Sequence, residues 1–156
     1  MSDSEALAEA FCGDKDAVAL AFHLARVADV WDNLIDRDKP VTPEDINDAF
    51  WLALVEIPRN QFYLRHMGHL QPLIAHSIFN YQIANAYETG AVPGEEAGVL
   101  AHVLRYSVAD VIVHMAYLAG GRDWALKVGP RLRMLAQKDT LANFLAEMEA
   151  KHANGG

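Results

Sequence analysis

The amino-acid sequence predicts an all-α protein, a single bundle of five to seven helices. Three observations carry this. Helix punctuation recurs along the chain, with capping residues ahead of acids, Pro in first turns and Gly at ends. Apolar residues between these marks repeat at helical spacing. No stretch alternates apolar and polar residues as a half-buried strand does, while Ala and Leu abound. The chain has 156 residues, 52% of them hydrophobic and 22% charged, which suits one globular domain over 1–156 with a core of its own. Residues 1–13 and 152–156 are expected to fray.

The elements follow in order. Asp14 and Asp16 cap a helix running to about Ile35, with Leu20, Leu24, Val27, Trp31, Leu34 and Ile35 on one face. Arg37 to Val41, with Pro40, reads as a loop. Thr42-Pro43-Glu44-Asp45 is a helix start with a hydroxyl cap, Pro at the first helical position and acids in the first turn. This second helix is expected to end before Pro58. A short third helix covers about Asn60 to Leu70, and Pro72 opens a fourth that stops at Gly90. Pro93-Gly94 is a turn. A long apolar helix then spans about 95–119, 25 residues without Pro, ending at Gly120-Gly121. A last segment from Arg122 breaks at Gly129-Pro130 and resumes to about Lys151. Such unequal lengths disfavour a tight up-and-down four-helix bundle.

Composition excludes several function classes. Thirteen Lys and Arg against 21 Asp and Glu give a net charge of -8, the wrong sign for nucleic acid as the main partner. The whole excess lies in residues 1–48, with twelve acids and four bases; residues 49–156 hold nine of each. Five bases cluster between 122 and 138, so the two ends of the chain are complementary in charge. A lone cysteine, Cys12, excludes an intrachain disulfide framework. The acidic start lacks the basic and apolar blocks of a secretory leader, and no apolar run reaches the roughly 18 residues of a membrane span. The expectation is a cytoplasmic protein.

Two polar stripes are the candidate sites. Asp29, Asp32 and Asp36 stand at i, i+3 and i+7, within a sector of about 60° on one helix face. Carboxylates so placed repel one another unless something offsets the charge. A Mg²⁺ ion would, because it prefers carboxylate oxygen and keeps water sites for a phosphate ligand; a solvated helix face is the plain alternative. The same face continues upstream as Ala25, Phe22 and Val18, which suits a ligand with a charged head and a greasy body. On the long apolar helix, Tyr106, Ser107, Asp110, His114 and Tyr117 share a narrow face. An Asp four residues before a His can orient the ring and raise its basicity, so Asp110 and His114 are candidate catalytic residues. A buried, mutually satisfied pair or a surface seam would have the same spacing. His66 and His69, three apart, are a weaker cluster. Asn80, Ala84 and Glu88, at i, i+4 and i+8, form another face.

The segment from Arg26 to Asp36 resembles the first aspartate-rich helix of class I terpenoid synthases, in the squalene and phytoene synthase branch. Asp110 to Gly121 is similar to a later helix of that branch, where an Asp precedes a Tyr-rich stretch ending in Ala-Gly. Asn80-x3-Ala84-x3-Glu88 has the spacing of their second metal motif, with Ala84 where a hydroxyl stands. The resemblance implies a terpenoid-synthase-like fold, truncated to about half the usual length. It also implies aspartates that hold Mg²⁺ against a diphosphate. A second resemblance, carried by Asp32 to Val41, Asp45-Ile46, Ala49-Phe50-Trp51, Ile57-Pro58 and Phe62-Tyr63, is to small tailed-bacteriophage proteins without an assigned role. It implies a viral product in the host cytoplasm.

Two functions are therefore expected as alternatives. One is Mg²⁺-dependent binding or conversion of a diphosphate-bearing small molecule in a helical-bundle cavity. There Asp29, Asp32 and Asp36 hold metal, Phe22, Ala25, Tyr106 and Tyr117 line the site, and Arg131, Arg133 or Lys138 reaches the phosphates. The other is a non-enzymatic interaction module, a homo-oligomer or a binder of a viral or host protein, with Trp31, Trp51, Phe62 and Tyr63 as core or interface anchors.

Overall fold

The computed structural model describes residues 1–154, and no strand occurs among them. In chain order the helices are α1 (Asp3–Ala10), α2 (Lys15–Asp36), α3 (Pro43–Trp51), a π-helical turn (Leu52–Glu56), α4 (Ile57–Arg59), α5 (Gln61–Glu88), α6 (Ala97–Arg105), α7 (Val108–Gly120), α8 (Arg122–Ala136) and α9 (Leu141–Asn154). The all-α bundle predicted from the sequence is the observed architecture.

The caps explain where the helices begin. Asp14 accepts from the Asp16 and Ala17 amides at the start of α2, and Thr42 with Asp45 forms a capping box on α3. Asn60 caps α5 by accepting from the Tyr63 amide, and its side-chain NH2 donates to the Asp16 carbonyl at 2.9 Å, tying α5 to α2. The main core joins Leu7, Phe11, Leu20, Phe62, Leu70, Val111, Met115 and Leu132. A smaller cluster of Ala84, Ala101 and Phe144, with Leu104, Leu145 and Met148, holds α9 against α5 and α6.

Several boundaries differ from the sequence reading. Residues 1–13 do not fray: Ser2 and Glu5 form a capping box on α1, and Ala6, Leu7, Ala10 and Phe11 are buried. Trp124 on α8 donates to the Ala10 carbonyl at 2.8 Å and Arg131 pairs with Glu9 at 3.5 Å, so the complementary ends do meet. Residues 152–154 belong to α9, and 155–156 lie outside the described residues. The second helix continues through Pro58. Proline cannot donate to the carbonyl four residues back, and the π-helical turn before it adapts, with the Ile57 amide bonding to the Leu52 carbonyl. The expected third and fourth helices are one, α5; its bend is at His66 (φ -120°, ψ 18°), and Pro72 lies inside. Gly129-Pro130 does not interrupt α8, which runs on through Pro130 on its exposed side.

The largest correction concerns the helix expected over 95–119. It is broken at Tyr106-Ser107 into α6 and α7, bent by 46°. At the break the chain tightens to i→i+3 bonds, from the Ser107 amide to the Leu104 carbonyl and from the Asp110 amide to the Ser107 carbonyl. Ser107 is buried, and α5 satisfies it: Ser77 donates to its carbonyl at 3.0 Å and Asn80 to its hydroxyl at 3.1 Å. Ser77 and Asn80, three residues apart on α5, thus make the break affordable in a place where orphaned polar groups would cost about 1–3 kcal/mol each.

Candidate functional site

A cavity of about 1130 Å³ lies among α2, α5, α6, α7, α8 and α9. Leu24, Val27, Ile74, Val111, Ile112 and Leu132 make much of its wall apolar. Charged residues also face it, including Asp29, Asp32, Glu88 and Arg105, with the exposed Asp38, Lys39, Lys138 and Lys151 at its rim.

Arg105, at the last turn of α6, organises the charged end. Its guanidinium bonds to Asp32 at 2.5 Å, to Asp36 and to Glu88. Helix α2 brings the two aspartates one turn apart, and the last turn of α5 brings Glu88. The Tyr81 hydroxyl donates to Asp32 at 2.6 Å, and the Tyr81 ring packs on Trp31 with centroids 4.3 Å apart. The guanidinium also lies 5.8 Å from the Tyr81 ring centroid and 5.9 Å from that of Phe144 on α9. The side chains of Arg105, Asp36 and Glu88 are 11%, 8% and 10% exposed, so two carboxylates and the guanidinium are largely dry, while Asp32, 30% exposed, opens to the cavity.

Burial sets the titration of this cluster. It raises the Asp32 carboxyl above the ordinary range; the Tyr81 hydrogen bond and Arg105 oppose the rise, and the Asp36 charge adds to it. Burial likewise raises Glu88 against the pull of Arg105. Burial and the bond to Asp32 push the Tyr81 hydroxyl far up, so it stays a donor. For Arg105, burial works against the charge, but the bond to Asp36 and the charges of Glu88 and Asp32 outweigh it, and the guanidinium is held protonated.

The structure divides the sequence-predicted site residues between two places. Asp29 and Asp32 line the large cavity with Phe22, Ala25 and Tyr106. Asp36 is not part of its lining; its carboxylate is turned to Arg105. Among the described residues no three His, Cys, Asp or Glu side chains are grouped to hold a metal ion. Asp110, His114, Tyr117 and Arg133 line a separate groove of about 470 Å³ between α7 and α8. The expected stripe from Tyr106 to Tyr117 is therefore split: Tyr106 lines the cavity, Ser107 is buried against α5, and Asp110, His114 and Tyr117 stay on the groove side of α7. The expected Asp110–His114 pair is not made: Asp110 bonds to Arg133 on α8, and His114 meets His69 on α5, with Nε2 and Nδ1 3.4 Å apart. Both residues are half-buried. Arg131 lines neither space; it lies on the surface against Glu9 and Met1. Of the expected anchors, Phe62 is core, Trp31 and Tyr63 are half-buried, and Trp51 is 55% exposed beside the exposed Phe50 and Leu54.

Arg105 is the residue that sequence reasoning missed. Its signal was present: it is the only Lys or Arg between Arg65 and Arg122, set in a long apolar run, in a chain whose aspartate stripe called for a counter-charge. No single helix among the described residues is long and apolar enough to cross a membrane; the bent α6–α7 pair reaches that length and composition only when taken together. No family model matches the chain, and neither a curated protein nor a solved structure is significantly similar to it.

Proposed function

We propose that this protein binds an amphiphilic small molecule, its apolar body in the large cavity and its polar head at the end where Asp29, Asp32 and Arg105 meet the rim. The observation that carries the reading is the cavity itself. Its volume of about 1130 Å³ is ample for a small molecule, its wall is mostly apolar, and Asp29, Asp32 and Arg105 are among the charged groups that line it. Equilibrium titration with a fluorescent long-chain probe tests it. Saturable binding at one site is expected. Ala25→Trp, which fills the cavity from α2, abolishes that binding while circular dichroism stays helical. Absence of saturable binding, or binding that Ala25→Trp leaves intact, overturns the reading and leaves the interaction module as its replacement.

A second reading specifies the head as a diphosphate carried with Mg²⁺. It is favoured by Asp29 and Asp32 lining the same cavity as Lys39, Lys138 and Lys151, the last paired with Asp38, so carboxylates for a cation and ammonium groups for a phosphate face one space. In this reading Asp36 is the third metal ligand only if Arg105 gives up its bond to it. Calorimetry with an isoprenoid diphosphate, with and without Mg²⁺, separates the two. Mg²⁺-dependent binding that Asp29→Asn weakens supports the diphosphate; binding indifferent to Mg²⁺ and to that substitution leaves only the general amphiphile.

A further inference from the structure

The groove side of α7 carries a feature unrelated to the cavity. His69, exposed on α5 just after its bend, and His114, half-buried in the second turn of α7, present ring nitrogens to each other at 3.4 Å, with ring centroids 5.5 Å apart. They come from helices 45 positions apart in sequence, so the pairing is a product of the fold. We propose that His69 Nδ1 and His114 Nε2 chelate a borderline divalent transition-metal ion, of the Zn²⁺, Ni²⁺ or Cu²⁺ class.

The spacing supports this. Two imidazole nitrogens each about 2.0–2.1 Å from a tetrahedral ion stand about 3.3 Å from each other. The observed separation fits that with neither backbone moving. Neutral imidazole is the form that ligates, and burial together with the neighbouring His69 holds His114 below the usual histidine range, toward that form. Imidazole pairs select zinc, nickel and copper over magnesium, so this site takes a different ion from any carried into the cavity. Neither other nearby ring joins: His66 packs on Phe62 with centroids 4.6 Å apart, and the Tyr117 ring lies 5.1 Å from the His114 ring. With two protein ligands, the remaining coordination positions go to water or to a small anionic or nitrogen ligand from solution, and the exposed His69 gives the ion an entry path. Binding joins α5 to α7 and stabilises the folded state by mass action.

The experiment is a ZnCl2 titration of the untagged full chain by calorimetry, paired with thermal unfolding at neutral pH. One ion per chain and a raised melting temperature are expected. His69→Ala is exposed enough to leave the fold intact and lowers the affinity at least tenfold, as does His114→Gln. His76→Ala, an exposed histidine elsewhere on α5, changes nothing. If His69→Ala binds zinc as the parent does, or if the folded parent takes up no zinc at millimolar concentration, the pair is an imidazole–imidazole hydrogen bond and the metal site is rejected.

Discussion

At the scale of residues, Arg105 decides how three neighbouring carboxylates, two of them nearly dry, coexist. A charge surrounded in this way gives little net stability relative to a well-packed apolar alternative, but removing one member leaves the rest uncompensated. Arg105→Met therefore destabilises the protein by about 3–5 kcal/mol at pH 7, measured by urea unfolding. The loss shrinks near pH 4, where Asp32 and Glu88, both raised by burial, take up protons and no longer need the guanidinium. Asp32→Asn probes the same linkage from the other side. A carboxyl raised in the folded state binds a proton there that the unfolded chain has already released. Its contribution to stability is thus present below the unfolded value and is lost as pH rises through the folded one. Asparagine keeps an acceptor for Tyr81 and for Arg105 without the charge. The difference in melting temperature, Asp32→Asn minus parent, is expected to be more positive at pH 7 than at pH 4.5; a difference independent of pH would falsify the raised carboxyl.

At the scale of elements, the seam between α6 and α9 rests on small residues. A Cβ on Gly98 would stand 2.5 Å from Leu145 Cδ2 and 3.2 Å from Met148 Cε, so α9 lies directly on the α6 backbone. Gly98→Ala forces Leu145 to move and loosens α9, at a cost of about 1–3 kcal/mol for overpacking. Because α9 forms one side of the cavity, the same substitution is expected to increase the emission of a hydrophobic dye, read alongside thermal unfolding. The break between α6 and α7 is the other decisive element. It sets Arg105 at a helix end, facing the carboxylates of α2 and α5, and it leaves Tyr106 on the cavity side of the turn. A continuous helix from 95 to 119 would have carried Tyr106, Ser107, Asp110, His114 and Tyr117 on one stripe.

At the scale of the whole molecule, the two hydrophobic clusters are unequal. The main core ties α1, α2, α5, α7 and α8 together, while α9 has one buried residue, Phe144, and packs chiefly on α6. Its other ties are at its exposed C-terminal end, where Lys151 pairs with Asp38 at 3.5 Å and His152 meets the Glu88 carbonyl. Opening free energies follow buried contacts. Native-state hydrogen exchange is therefore expected to show α9 amides exchanging through a lower-energy opening than those of α2 and α7. An amphiphile bound in the cavity slows exchange in α9 first. Equal protection of α9 and α7 in the free protein would rule out α9 as the least stable side of the cavity.

Much of this molecule was legible in its residues one stretch at a time. The caps at Asp14 and Thr42 are local chemistry, as is the turn at Pro93-Gly94, and the all-α class follows from periodicity within single segments. The grouping of Asp29, Asp32 and Asp36 follows from the pitch of one helix, and so does the apolar continuation to Ala25 and Phe22. What local sequence did not decide depends on contacts between distant segments. Residues 1–13 read as a fraying tail because a short helix is stable only when its apolar face finds α2 and α8. The break at Ser107 has no Pro or Gly to announce it; it exists because Ser77 and Asn80, some 30 residues away, satisfy its backbone and hydroxyl. The same dependence put Arg105 rather than solvent opposite Asp32 and Asp36, and Arg133 rather than His114 opposite Asp110. Periodicity states which residues share a face. Only the packed structure states what that face meets, because a buried charge or polar group is satisfied by whichever neighbour the whole fold brings within hydrogen-bond reach.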